Sequence, residues 1–412
     1  MSQAVEDVSQ SRELSRTPAS SQTSASFQLL AVATSESARQ KRKIAALEQK
    51  LQVLESGHAV KVRETNYYMS KGRAIQRIVS LFDMIENMIC ENDRRCNLEE
   101  EEDDDNGTLD QQRLQLGFIS LNHALLWFHK KSSDMEHEDY IHMLKKLRQG
   151  ADAARGDDTS KLKSLVAEWV NRELKPNPPV DPDDKHHRGF VNDACGKLLC
   201  PAELDWSDPI ARAGIRDRTD GHVVTEMSWP AFMYERYSAN PDNLEEGLFK
   251  SKLLLQAFKA VFTSPSSAKE AAAEGDGADV INNNRRARRD FKSCKKVKTH
   301  VAQIINMHKV TPRSIAYASC QLRFALSSVT SWRSVDGDFD YVPFWQNIVD
   351  FFEQPPGHIA QKNVDQLLAW WTRKVFGTSR HAELTDGAKA KMSVNALARQ
   401  RAELDDAMFD SD

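Results

Sequence analysis

Apolar side chains recur every three or four residues along most of this 412-residue chain. On a helix with about 3.6 residues per turn, that spacing places them along one face, whereas a strand needs strict alternation. No stretch of useful length alternates, so we expect no sheet. The sequence therefore predicts an all-α protein, with a long N-terminal helix of coiled-coil character, a helical C-terminal domain and disordered termini.

The N-terminal helix is predicted to span residues 31–95. Its candidate interaction stripe follows the 3-4-3 spacing of a heptad seam and consists of Ile44, Leu47, Leu51 and Leu54. The heptad edges beside the stripe carry Lys43, Glu48, Lys50 and Glu55. Because only two clean heptads are present, two interpretations stay open. One is a coiled coil that binds a second copy or a partner, and the other is a solvated helix that packs on its own domain.

Composition divides the rest of the chain. Serine, threonine and glutamine dominate the start, seven consecutive acids follow the long helix, and prolines with aspartates interrupt the middle. The predicted segments are a disordered head (1–30), the long helix (31–95), an acidic linker (96–108), a helical segment (109–175), a linker that marks a domain boundary (176–190), a helical domain (191–378) with a disordered loop (264–290), and a polar tail (379–412).

Local signals predict several helix ends. Gly150 is expected to stop one helix, and Asn240 with Pro241 to start another. Thr311 followed by Pro312 is a strong start signal, since threonine caps a helix and proline fits its first turn. The aromatic residues near the C-terminal end of the domain are expected to form its core.

The stretch "HHRGFVNDACGKLLCP" holds two histidines and two cysteines within residues 186–201. Zinc sites pair such ligands at spacings like C-x2-C, which Cys195 and Cys200 do not match. Adjacent His186 and His187 cannot easily face one ion. We therefore predict no metal site here and expect Cys200 to be a small buried side chain.

Other motifs fail at the positions that would perform their chemistry. "HEDYIH" has one residue too many for a zinc helix, and "DGDFDYVPFWQN" lacks the glycine and the glutamate of a calcium loop, so Asp340 is better explained as a helix cap. The helix pair around residues 300–317 has a turn that is too long for a DNA-binding helix-turn-helix motif. No spacing selects an acid–base pair. The sequence predicts no catalytic residue, no cofactor and no metal.

A basic patch is the strongest charge signal, with eight cations and one anion in residues 285–298. Its cations are Arg285, Arg286, Arg288, Arg289, Lys292, Lys295, Lys296 and Lys298. Such a patch is typical of a nuclear-import signal or a phosphate contact, and equally of a solvated helix start. A net charge of -4 excludes electrostatic binding of nucleic acid along the whole chain, so any contact with nucleic acid would have to be made by a local patch.

The chain shows neither a secretory signal nor an apolar run long enough for a membrane span. Its six cysteines are scattered, unlike a disulfide framework. We expect an intracellular protein with reduced thiols, with the nucleus slightly favoured over the cytoplasm by the basic patch.

Several phrases occur in order along the second half: "HHRGF…GKLLCPAELDW", "NPDNLEEGLFKSKLLLQAFKAVFTSPSSA", "RRARR…VTPRSIAYASCQLRFALSS", "SWRSVDGDFDY…FWQNIVDFFE" and "WWTRKVFG". Over about residues 185–378 the chain resembles a family of unknown function that is expanded in mushroom-forming fungi. The resemblance implies a fungal, intracellular helical domain and supplies no activity.

These patterns together favour a non-enzymatic protein–protein interaction module that self-associates or binds a partner through its N-terminal helix. The alternative is a nuclear, nucleic-acid-associated factor that uses the basic patch. No membrane partner is expected.

Overall fold

The computed structural model describes residues 22–97, 107–270, 300–377 and 385–409. The chain forms two compact units, Met1–Asn66 and Tyr67–Asp412. Within the described ranges, the regular structure is helical apart from one short hairpin. The predicted all-α class is confirmed.

The first half of the chain contains five α-helices: α1 (Gln22–Ile78), α2 (Ile85–Cys96), α3 (Leu109–Ala124), α4 (Phe128–Asp134) and α5 (His137–Leu174). The second half contains α6 (Asp193–Leu199), α7 (Pro209–Asp217), α8 (Lys252–Phe262), α9 (Pro265–Glu270), α10 (Val301–Ile304), α11 (Pro312–Leu326), α12 (Tyr341–Glu353), α13 (His358–Phe376), α14 (Asp386–Ala390) and α15 (Ser393–Phe409). Single-turn 3-10 helices occur at Gly189–Val191, Ala231–Met233 and Glu235–Tyr237.

Two helices occupy the range 31–95, where the sequence predicted one. The chain turns between Ile78 and Ile85, where the Gln76 side chain donates to the Leu81 carbonyl at 2.8 Å. The Ser80 hydroxyl accepts from the Asp83 backbone at 2.9 Å and so closes the turn. Residues 22–30, predicted to be disordered, belong to α1. The turn ends α1 and allows α2 to pack against α3.

Gly150 lies inside α5 and does not stop a helix. A Cβ on Gly150 would lie under 3.0 Å from the carbonyl of Met69 on α1, and a Cβ on Gly72 would meet the carbonyl of Leu147 equally closely. The glycines therefore permit the backbones of α1 and α5 to touch. Glycine is a frequent helix stop, but here its missing side chain serves packing.

The segment 176–190 is attached to α5 and does not separate two domains. Asn171 exchanges two hydrogen bonds of 2.7 Å with the backbone of Val180, which is buried. One hydrophobic core combines Ala74 of α1 and Trp169 of α5 with residues of α8, α11 and α12. This continuous core differs from the predicted boundary, because α5 contributes one wall of the C-terminal domain.

Helix α11 lies at the centre of this core. Every residue from Arg313 to Leu326 is buried, and α5, α8 and α12 pack around it. Its predicted start is confirmed, since the Thr311 side chain accepts from the Ser314 backbone and Pro312 occupies the first turn. A helix surrounded on every side must be apolar or satisfy its polar groups internally.

The sequence placed two other boundaries wrongly. Helix α8 is capped by Ser251 and begins eleven residues after Pro241, because Gly247 (φ +73°) and Phe249 (φ +58°) hold the intervening chain in turns. The predicted loop 264–290 contains α9 at its start. Helix α10, the first of the helix pair expected around residues 300–317, has four residues.

A two-residue hairpin corrects the expectation of no sheet. Strands β1 (Val335–Asp336) and β2 (Phe339–Asp340) pair antiparallel around Gly337, which has a φ of +67°. The turn requires that positive φ, which glycine adopts without strain. Strands this short could not be detected from alternation.

Candidate functional site

The candidate interaction stripe is exposed along α1. Ile44, Leu47 and Leu51 are 54%, 58% and 57% accessible, respectively. They lie three and four residues apart on a continuous helix, so they share one face. The side chain of Leu54, the fourth member, lies outside the described residues. The stripe therefore offers contiguous apolar surface that unit Met1–Asn66 leaves in solvent.

Charged side chains border this stripe. Lys43 precedes Ile44, Glu48 follows Leu47, and Lys50 precedes Leu51; all three are exposed. Long charged side chains beside an apolar seam can cover its edges and pair across it. The arrangement is suited to receiving another helix.

The basic patch lies outside the described residues. This applies to each of Arg285, Arg286, Arg288, Arg289, Lys292, Lys295, Lys296 and Lys298. Its role stays a prediction from the sequence.

The structure does not bring the histidines and cysteines of residues 186–200 together as ligands. His187 is exposed and its Nδ1 lies 2.5 Å from an oxygen of Asp184, whereas Cys195 and Cys200 are buried. Burial raises the pKa of the Cys195 thiol to about 11 and that of Cys200 to about 12, so both stay protonated near neutral pH. In the four described ranges, no group of three or more His, Cys, Asp or Glu side chains is placed to hold a metal ion.

The three aspartates of "DGDFD" each make a different contact. Asp336 contacts Arg323 at 3.3 Å, and Asp338 pairs with Arg218. Asp340 caps α12 by accepting from a backbone N–H two residues later at 2.8 Å. The cap was predicted from the sequence; the two ion pairs were not.

A buried polar cluster joins α1, α5 and α11. The Arg77 guanidinium donates to both oxygens of Asp158 at 2.8 and 3.0 Å, and the Tyr317 hydroxyl donates to the same carboxylate at 2.9 Å. All three side chains are nearly inaccessible. Burial, followed by the Asp158 charge, raises the pKa of Tyr317 well above its usual 10, so the hydroxyl acts as a donor.

Two further cations close the C-terminal end of α11. The Lys163 ammonium donates to the carbonyls of Ser327 and Val329, and the Arg188 guanidinium donates to the carbonyls of Ala325 at 3.0 Å and Lys163 at 2.6 Å. Positive charge at a helix C-terminus offsets the partial negative charge of its unpaired carbonyls. These cations hold the end of α11 through hydrogen bonds to backbone oxygens.

Sequence reasoning missed both clusters. Arg77 and Asp158 are separated by 81 residues, and Asp158 and Tyr317 by 159. Charged residues are frequent in any soluble chain, and no local spacing links partners so far apart. The one available signal was an arginine within an apolar helical face, which alone does not identify its partner.

The surface cavities in the described part of the chain include two of about 380 and 430 Å³. The first lies between α2 and α4 and includes His137 and Tyr140, but His142, the other histidine of "HEDYIH", does not line it. Burial, with the Asp93 charge, raises the pKa of Tyr140. The second is bordered by Trp370 and Arg373 of α13. Neither cavity includes a residue of the candidate stripe.

Comparison with known proteins gives one family. Residues 149–376 match the model of a family described as "Family of unknown function (DUF6698)", a range that begins within α5 and ends with α13. No curated protein and no solved structure matches the chain. Among the described helices, none combines the length and apolar character needed to cross a membrane.

Proposed function

The chain belongs to the family of unknown function DUF6698, and we propose that it is a non-enzymatic interaction protein that associates through the stripe on α1. The observation that carries the proposal is the exposure of Ile44, Leu47 and Leu51 on one helix face, each more than half accessible. Contiguous apolar surface on a helix is typical of a docking face for another helix.

The expected energetics suit reversible association. Burying a half-exposed leucine or isoleucine contributes about 1 kcal/mol, roughly half of what full burial of such a side chain supplies. Three such residues on each of two helices give a modest sum, from which the entropy of association must be subtracted. We therefore expect reversible rather than permanent association.

The buried polar clusters support the non-enzymatic part of the proposal. Asp158, Lys163 and Arg188 are each occupied by hydrogen bonds that hold helices or backbone in place. In that role they stabilise a rigid body, and they are buried away from any substrate in bulk solvent.

A pair of charge insertions tests the proposal. Sedimentation of the full chain, and co-purification from native extract, would compare wild type with the double variant Leu47→Lys/Leu51→Lys. The matched control is Ala46→Lys/Gln49→Lys, which adds the same charges on exposed positions outside the stripe. We expect association to be lost in the first variant and kept in the second. If neither self-association nor any co-purifying protein depends on Leu47 and Leu51, the proposal is wrong.

The alternative, contact with nucleic acid, is supported only by the charge of the basic patch. A mobility-shift assay with mixed DNA and RNA at two salt concentrations tests it, because phosphate contacts weaken steeply as salt rises. No shift at low salt would eliminate it.

We also propose an intracellular location. Cys90, Cys96, Cys195, Cys200 and Cys320 are free thiols, which fits a reducing compartment. Imaging of the tagged full chain in its native cell tests this, and secretion into the medium would contradict it.

A further inference from the structure

We propose that the stripe on α1 pairs with the same stripe of a second copy of this chain, parallel and in register. This inference rests on the proposed function, since it names the partner and the orientation at the same surface. It is carried by the placement of charges beside the stripe.

The stripe defines a heptad register, with positions lettered a to g. Ile44 and Leu51 take position a, and Leu47 takes position d. Lys43 and Lys50 then fall at position g and Glu48 at position e, the two positions that border the seam of a two-stranded coiled coil. In the first of these heptads, isoleucine at a with leucine at d is the combination that favours two strands.

Orientation follows from which edge positions meet. In a parallel, in-register pair, position g of one helix faces position e of the next heptad on the other. Lys43 would then face Glu48 of the second copy, and by symmetry the reverse pair would form as well. Lys50 stands in the same relation, by sequence, to the glutamate at position 55. The parallel pair therefore matches opposite charges at each of these edge contacts.

The antiparallel pair has the opposite outcome. There, g faces g and e faces e, so Lys43 and Lys50 would meet lysines and Glu48 would meet a glutamate. Like charges across a seam are unfavourable, and with so few apolar residues in the stripe they can decide the orientation. Parallel pairing also means that both chains leave the pair at the same end.

Charge reversal on the full chain tests the inference by sedimentation equilibrium at low salt. Lys43→Glu should weaken dimerisation about fivefold to tenfold, because two exposed attractions become repulsions. The double variant Lys43→Glu/Glu48→Lys should restore wild-type affinity, since the pair is then reversed in sign. High salt should reduce the difference between Lys43→Glu and wild type.

The outcomes separate the inference from the proposed function. If Leu47→Lys/Leu51→Lys abolishes dimers but Lys43→Glu leaves them unchanged, the parallel pairing is wrong and the interaction surface stands. If the wild type stays monomeric at tens of micromolar yet captures another protein through Leu47 and Leu51, the second copy is the wrong partner. If nothing depends on Leu47 and Leu51, both ideas fail.

Discussion

Gly72 of α1 lies so close to the carbonyl of Leu147 on α5 that no side chain could be placed between them. Gly150 of α5 faces the carbonyl of Met69 in the same way. In each contact, a glycine of one helix packs directly against the backbone of the other. The two contacts together set the distance between α1 and α5.

Adding a methyl group at this crossing should separate the helices. Gly72→Ala and Gly150→Ala are each expected to lower the free energy of unfolding by about 3 kcal/mol or more, because backbone cannot move aside as a flexible side chain can. Urea unfolding followed by circular dichroism measures the loss. The matched control is Gly156→Ala, an exposed glycine in α5 with nothing near its added Cβ. It should stabilise the helix by up to about 1 kcal/mol. Equal effects at positions 150 and 156 would contradict the role assigned to the crossing.

Helix starts that depend on a capping side chain could be predicted from the sequence. Contacts between residues far apart in the sequence could not. The caps at Thr311 and Asp340 depend on the residue itself and a backbone N–H two or three residues away. Gly150 carries the same local signal whether it ends a helix or faces another backbone. Only the position of α1, fixed by residues far away in sequence, distinguishes the two.

The candidate stripe was predictable in spacing but not in exposure. Ile44, Leu47 and Leu51 would show the same 3-4 pattern if they packed inside their own domain. The structure adds that these side chains are in solvent, which the helical period alone does not determine.

The ion pair between Arg77 and Asp158 should be costly to break from one side. Arg77→Met leaves the Asp158 charge buried without its main partner, so we expect a loss of about 3 to 5 kcal/mol. The neighbouring pair of Arg73 and Asp157, with side chains 33% and 54% accessible, is the control. Arg73→Met should cost less than about 1 kcal/mol, since water already screens that pair.

A double variant distinguishes the loss of the ion pair from the cost of leaving the Asp158 charge buried and unpaired. Arg77→Met/Asp158→Asn removes both charges but keeps a side-chain oxygen that can accept from Tyr317, and it should lose less stability than Arg77→Met alone. Chemical unfolding of the single and double variants supplies the comparison. If the double variant is the less stable, the unpaired carboxylate is not the source of the cost.

Gln321 should be replaceable with a gain in stability. It is fully buried in α11, and neither its amide nitrogen nor its oxygen has a hydrogen-bond partner in the described structure. Gln321→Met keeps the length and removes the polar atoms, so we expect a gain of about 1 to 2 kcal/mol. Gln256 is equally buried but donates to the Ala268 carbonyl at 3.1 Å. Gln256→Met should therefore cost about 1 kcal/mol, and thermal unfolding of both variants should move the midpoint in opposite directions.

Lys163 should give the folded protein a distinctive dependence on pH. Lys163 is 2% exposed, and burial, followed by the charge of Arg188, lowers the pKa of its ammonium from 10.5 to about 8. Between these two pH values the unfolded chain binds more protons at this position than the folded chain. The contribution of Lys163 to stability therefore rises as pH increases through this window and falls as pH drops towards 8.

The variant Lys163→Met isolates this effect, because the buried cysteines and tyrosines that titrate in the same window are present in both proteins. Relative to Lys163→Met, wild type should gain about 2 kcal/mol of unfolding free energy between pH 8 and pH 10. Urea unfolding at half-unit pH steps measures the difference, and Lys161→Met, at an exposed position on the same helix, controls for the loss of one charge. If the pH profiles of wild type and Lys163→Met run parallel, the prediction is wrong. The carbonyls of Ser327 and Val329 would then stabilise the charged ammonium as well as water does, and the pKa of Lys163 would be the same in the folded and the unfolded chain.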